Sequence, residues 1–164
     1  MLAFQDGDGN TALHFAARNG SADIVQYLVT AADQLGRQLG EEGKELVSEV
    51  VERPNGRGFT PMTEVCLRGY QTAGQAAEAR ESRLDIVKAL LSAGAEPNSA
   101  KESTGMTPMH WAAYNGDEGV IECLLENDGD PNRYNSEACG GLLPIDVAGW
   151  RPAVPCIDVL LSSY

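Results

Sequence analysis

Two histidines, His14 and His110, and four cysteines, Cys66, Cys123, Cys139 and Cys156, are the side chains best suited to proton transfer, nucleophilic attack or soft-metal binding near neutral pH. Their spacing argues against each use. The cysteines are widely separated with no C-x-x-C pair, so neither a zinc site nor a disulfide framework is expected, and free, mostly buried thiols are the better reading. No Ser/His/Asp or Cys/His set falls on one element, and no cation stands beside a thiol to activate it. Asp6-Gly7-Asp8-Gly9-Asn10 and Asp128-Gly129-Asp130-Pro131-Asn132 resemble the start of a calcium loop. Both fail at its sixth position, where Thr11 and Arg133 stand instead of Gly, and at its twelfth, where Ala17 and Cys139 stand instead of Glu. Gly43-Lys44 lacks the upstream glycine and the following hydroxyl of a phosphate loop. Asn19-Gly20-Ser21 is formally a glycosylation sequon and is read as a helix end. Expected, then, are no catalysis, no cofactor and no metal.

The elements that position these residues come from internal repetition. Thr11-Ala12-Leu13-His14-Phe15-Ala16-Ala17-Arg18-Asn19-Gly20 is nearly copied by Thr107-Pro108-Met109-His110-Trp111-Ala112-Ala113-Tyr114-Asn115-Gly116. Thr60-Pro61-Met62-Thr63 and Leu143-Pro144-Ile145-Asp146-Val147-Ala148 open two more worn copies. Each opening predicts a helix start, with Thr as N-cap in the first three copies and Pro in the first turn of every copy except the first, where Ala12 stands; the missing N–H of Pro costs nothing there. Apolar residues at 62, 65 and 66, and at 109, 112 and 113, fall at i, i+3, i+4 and form a buried stripe. Gly20, Gly69 and Gly116 stand where the first helix must stop and turn back. Partner helices follow at Ile24, Val25 and Leu28, at Ile86, Val87, Leu90 and Leu91, at Val120, Ile121, Leu124 and Leu125, and at Ile157, Leu160 and Leu161. Gly7-Asp8-Gly9-Asn10 and Pro54-Asn55-Gly56 read as hairpin turns between repeats.

On these residues the chain resembles the ankyrin repeat, whose Thr-Pro-Leu-His-x-Ala signature recurs about every 33 residues. The resemblance runs from Asp8 to Leu161. It implies an all-α solenoid of stacked helix-turn-helix units joined by short hairpin turns, one domain over 1–164. The repeats are expected near 8–53 with an insertion at about 34–53, near 56–98 with an insertion at about 70–82, near 104–132 and near 140–161. In the first insertion Leu35 and Leu39 extend the second helix's stripe, Gly40-Glu41-Glu42-Gly43 breaks it, and Glu45–Glu52 suits either a helix or a hairpin arm. In the second, Gln75-Ala76-Ala77-Glu78-Ala79-Arg80-Glu81 favours helix by propensity. His14 and His110 take the fourth signature position, where the resemblance implies a hydrogen bond to a neighbouring loop; Thr63 and Asp146 hold that slot in the other copies.

The resemblance also implies a non-catalytic scaffold or adaptor that binds a partner protein through its concave groove and hairpin tips. Carried onto this sequence, the groove positions are Arg18 and Asn19, Leu67 and Arg68, Tyr114 and Asn115, Trp150 and Arg151, and the hairpin positions are Asn10, Phe59 and Met106. Aromatic and Arg side chains are enriched in that set, as in interface hot spots. A formal charge of −12, with 43% hydrophobic and 6% aromatic residues, disfavours nucleic acid and anionic lipid as partners, and no window is apolar enough to insert in a membrane. Glu118, Glu122 and Glu126 recur at i, i+4 within an acidic run from Asp117 to Asp130, a like-charge stripe that fits a partner with a basic surface. A cytoplasmic, intracellular setting is expected. Because both ends lack polar capping faces, the alternative is a regulatory or assembly segment of a larger protein or complex, its ends covered by neighbours. The family resemblance alone also raises Asn98 or Asn132 as hydroxylation targets.

Overall fold

The computed structural model describes residues 4–68, 76–150 and 154–163, and these carry nine α-helices. Four pairs make the stack: α1 (Ala12–Asn19) with α2 (Ala22–Leu39), α4 (Pro61–Leu67) with α5 (Ala76–Ser92), α6 (Pro108–Asn115) with α7 (Glu118–Leu125), and α8 (Pro144–Ala148) with α9 (Val154–Ser162). The remaining helix, α3 (Glu41–Glu52), lies between the first two pairs in sequence. First helices stack in the order α1, α4, α6, α8, and second helices in the order α2, α5, α7, α9. The fold is an all-α solenoid.

Local chemistry sets the helix ends as expected. Thr11, Thr60 and Thr107 cap α1, α4 and α6 by accepting from the N–H of His14, Thr63 and His110. Pro61, Pro108 and Pro144 occupy first turns, where their fixed φ matches the helix. Repeat four has no hydroxyl at its cap; there the Asp146 carboxylate accepts from the Leu143 N–H at 2.9 Å. Gly20 and Gly116 close α1 and α6 in the left-handed region, while Gly69 lies outside the described residues.

Packing follows the predicted stripes except at Ile24 of repeat one and Leu161 of repeat four, which are exposed. Leu13 and Val25 of repeat one, Met62, Ile86 and Leu90 of repeat two, Met109, Ile121 and Leu124 of repeat three, and Leu160 of repeat four are sealed in one continuous core. Burial of each such side chain contributes about 2 kcal/mol.

The first insertion is a second helical hairpin. Glu45–Glu52 is helix, not a hairpin arm, because α3 turns back at Gly40 (φ +68°) and packs along α2. The crossing depends on two glycines: a Cβ on Gly43 would sit 1.9 Å from the Gly36 carbonyl oxygen. Val50 and Val51 of α3 are buried beneath it. The expected stripe through Leu35 and Leu39 is corrected, since both are exposed and Ala32 and Gly36 take the buried face at that end of α2. Small residues win there because α3 approaches too closely for leucine. The second insertion enters the described residues at Ala76 and lengthens α5 at its start; residues 70–75 lie outside them.

Candidate partner-binding face

Each histidine ties its own cap to the next repeat. In repeat one the Thr11 N–H donates to His14 Nδ1 at 3.2 Å, the Thr11 hydroxyl lies 2.8 Å from the same nitrogen, and Nε2 reaches the Phe59 carbonyl of the following hairpin at 2.9 Å. His110 repeats this with Thr107 and the Leu142 carbonyl at 3.1 Å. A backbone donor directed at Nδ1 fixes the neutral tautomer with the proton on Nε2. Burial holds both imidazoles below 6.5, and the carbonyl bonds offset this in part. These side chains are structural links.

The eleven residues placed on the groove and hairpins divide by exposure. Asn19, Arg68 and Trp150 are exposed, and Arg18, Leu67 and Tyr114 are half-buried; together they mark the ends of successive first helices. Asn10, Phe59, Met106 and Asn115 are buried and engaged inside the stack. Asn10 accepts from Asn55 Nδ2 at 3.1 Å and from Arg18, the Phe59 carbonyl serves His14, Met106 sulfur receives Asn135 Nδ2 at 3.4 Å, and Asn115 Nδ2 donates to the Cys66 carbonyl at 2.7 Å. Arg151 lies outside the described residues.

Glu64, unremarked by the sequence reading, organises the face between repeats one and two. It holds the fifth signature position, where Phe15 and Trp111 stand in the near-identical copies, and its side chain is buried. Oε1 accepts from Arg18 at 3.2 Å, from Asn55 Nδ2 at 2.9 Å and from Arg57, while Oε2 is buried with no hydrogen-bond partner among the described residues. Burial is the largest influence on this carboxyl and opposes ionisation; Arg57 and Arg18 together with Asn55 outweigh it and hold the group below 4.5. Arg18 and Arg57 also lie over the rings of Phe15 and Phe59, at 5.6 and 5.2 Å, and Lys101 approaches Phe59 from 4.6 Å. One repeat further on, Trp111 and Tyr114 meet edge-on, with ring centroids 6.4 Å apart. A carboxylate in a slot that is apolar in the other three copies, Phe15, Trp111 and Val147, was the available signal.

The acidic run also divides. Glu118, Glu122 and Glu126 are exposed along α7, whereas Asp117 is buried and paired with Arg83 of α5, so it belongs to the stack and not to the charged surface. Asn98 bridges two turns, donating to the Asp128 carbonyl and accepting from the Asp130 N–H.

Comparison with known proteins gives the same architecture. A family model described as ankyrin repeats in many copies matches residues 75–125, and a single-repeat model matches residues 8–35. The chain is an ankyrin-repeat protein. Similar relatives include E3 ubiquitin-protein ligase KEG of Arabidopsis thaliana, 27% identical over 94% of this chain and 10% of the relative, and ankyrin repeat-containing protein ITN1 of the same plant, 27% identical over 73% of this chain and 19% of the relative. NF-kappa-B inhibitor cactus of Drosophila melanogaster is 28% identical over 74% of this chain and 25% of its own length. The chain therefore spans a quarter or less of these relatives. Ankyrin repeats serve generally as protein-binding modules, and none of the described helices is long and apolar enough to cross a membrane.

Proposed function

We propose that this ankyrin stack is a binding module that engages a partner protein along the row formed by Arg18, Asn19, Leu67, Arg68, Tyr114 and Trp150. The observation that carries the reading is positional: the same point of four successive first helices presents Arg, Leu, Tyr and Trp side chains at a rigid spacing, the composition of interface anchors. Arg57 and Lys101 extend the row toward the hairpin tips, where Arg57 keeps 55% of its side chain exposed. The buried members of the original set, Asn10, Phe59, Met106 and Asn115, act by holding that spacing. The framework performs no chemistry of its own in this reading, and the exposed α7 carboxylates offer a separate contact to basic side chains. The four free thiols fit a reducing, cytoplasmic setting.

The experiment is affinity capture from source lysate with the native chain and with Tyr114→Ala/Trp150→Ala, read by quantitative mass spectrometry. Proteins retained by the native chain should drop at least tenfold with the variant, while helicity by circular dichroism is unchanged. Equal capture by both would remove this face as the site. A second reading, that the repeats are a regulatory or assembly segment of a larger protein, is supported by the small share of each relative that the chain covers.

A further inference from the structure

The second helix of repeat two starts far earlier than its counterparts. α2 opens two residues before Ile24 and α7 two residues before Val120, whereas α5 opens ten residues before Ile86, which holds the same position. The added turns bring Glu78, Ala79, Ser82 and Arg83 opposite the ends of α1 and α4, and a cavity of about 430 Å³ lies between the three helices. Its polar lining is Arg18 and Asn19 of α1, Arg68 just after α4, and Glu78, Ser82 and Arg83 of α5. Arg18, Asn19 and Arg68 belong to the row proposed above to meet a partner, so the row is indented here.

The lining holds three guanidiniums and one carboxylate. Two of the guanidiniums are matched by acids outside the lining: Arg83 pairs with Asp117, and Arg18 shares Glu64 with Arg57. Four Arg side chains thus meet three carboxylates, Glu64, Glu78 and Asp117, and one positive charge is left over. It falls on Arg68, which is exposed and has no ion pair among the described residues. The Nε–H of Arg18 is buried and also lacks an acceptor among those residues. Most of the chain's negative charge stands elsewhere. By sequence, the second helices and rear turns (21–53, 76–98, 117–132 and 154–163) hold eighteen acids against six bases, whereas the hairpins and first helices (4–20, 54–68, 99–116 and 133–150) hold six acids against five bases. A layer of helices about 10 Å thick separates the inner face from most of those acids, and that is roughly one Debye length at physiological ionic strength.

We infer that this cavity is the anchor point of the binding row and takes one anionic side chain of the partner, a carboxylate or a phosphoryl group. The inference rests on the groove reading above and adds the chemistry of the occupant. Arg68 supplies the unmatched charge and a planar fork of N–H donors suited to paired oxygens. Asn19 and Ser82 supply neutral donors, while Arg18 and Arg83, tethered by Glu64 and Asp117, complete the basic wall. Tyr114 and Trp150 lie further along the row and meet apolar residues of the same segment. The second insertion then has a use: its helical turns build the wall that makes a cavity out of an open surface.

A phage library of random twelve-residue peptides tests this on the full chain, beside Arg68→Gln and, as a control with the same charge change on the rear of α5, Lys88→Gln. Selection on the native chain and on Lys88→Gln should return peptides with Asp or Glu fixed at one position, and selection on Arg68→Gln should not. Ala79→Leu, which fills the cavity and keeps every charge, should lose the same position, with helicity by circular dichroism unchanged in all variants. Synthetic peptides then carry Glu, Gln or phosphoserine there. Gln should weaken binding to the native chain about tenfold and change binding to Arg68→Gln little. Phosphoserine that binds more tightly than Glu identifies a phosphoryl source, and weaker binding identifies a carboxylate. Peptides that need Tyr114 and Trp150 but fix no acid, or a Gln peptide as tight as the Glu one, would overturn the inference and leave the groove reading standing. Acid-fixed peptides indifferent to Tyr114→Ala/Trp150→Ala would keep the cavity and strike the rest of the row, and a selection that returns nothing would overturn both.

Discussion

The interface between repeats one and two and the interface between repeats two and three are built from different materials. At the first, a signature histidine spans the gap to the Phe59 carbonyl, and the hairpins join through the Gly56 N–H and the Asp8 carbonyl at 2.8 Å. Gly9, at φ +78°, makes that approach possible, since a Cβ there would lie 2.6 Å from the Gly56 nitrogen. Repeats three and four copy the scheme with His110 and with the Ser136 N–H on the Thr104 carbonyl. The middle interface has Thr63 in the histidine slot, and among the described residues that short side chain meets Thr60, whose hydroxyl lies 3.4 Å from Ser99. In compensation, Arg83 pairs with Asp117, Asn115 donates to the Cys66 carbonyl, and Asn98 links the rear turns. A repeat protein is coupled by nearest neighbours alone, so losing a signature residue moves the coupling elsewhere on the same interface and does not remove it.

Breaking the middle interface should have the largest effect. Both members of the Arg83–Asp117 pair have less than a tenth of their side chains exposed, and Arg83→Met strands a buried carboxylate, costing about 3–5 kcal/mol. Urea titration followed by circular dichroism should then show two transitions where the native chain is expected to show one, with repeats one and two separating from three and four. Glu64→Gln acts on the first interface. Loss of the charge that gathers Arg18 and Arg57 should cost about 2 kcal/mol and leave a single, earlier transition.

Acid should affect the histidine-bridged interfaces selectively. The folded imidazoles bind protons less readily than those of the unfolded chain at 6.5, so the unfolded state takes up more protons as pH falls below 6.5. The stability gained from neutral histidine is complete above that value and is lost on acidification toward the lower folded values. The melting temperature should drop by about 2–4 °C for each kcal/mol lost between pH 7 and pH 5, and His14→Thr/His110→Thr should be less stable at pH 7 but flatter across that window. The smallest effect is expected from Glu122→Lys. Relief of two like-charge neighbours on exposed α7 should stabilise by a few tenths of a kcal/mol in low salt, without touching either interface.

Much of this was legible in the residues. Thr, Pro and Gly positions read out the caps because capping is local chemistry, and the apolar stripes read out the core because helical period fixes which side chains face it. The histidine bridges were implied by their signature slot. Less was legible where the partner is remote: Arg83 meets Asp117 from a helix lengthened by an insertion, and nothing in the local pattern distinguishes Asp117 from the exposed glutamates that follow it. Gly43 was read as part of a break in a stripe and Gly36 was not singled out; together they are the contact that lets α3 fold back, information held in their joint geometry and not in either residue's propensity. Of the groove positions, Asn10 and Asn115 carry short polar side chains that bond within the stack as readily as outside it, and exposure alone separates the two uses.

Repeats two, three and four each contain one buried thiol: Cys66, Cys123 and Cys156. Burial pushes all three above the ordinary range, Cys156 to about 11, so at pH 7 only about one Cys156 in ten thousand is thiolate. An alkylating reagent must therefore wait for the surrounding helices to part before it can react. Each cysteine becomes a clock for its own repeat, and timed labelling with peptide-level detection would record the order in which the stack opens, one repeat at a time, without any probe being introduced.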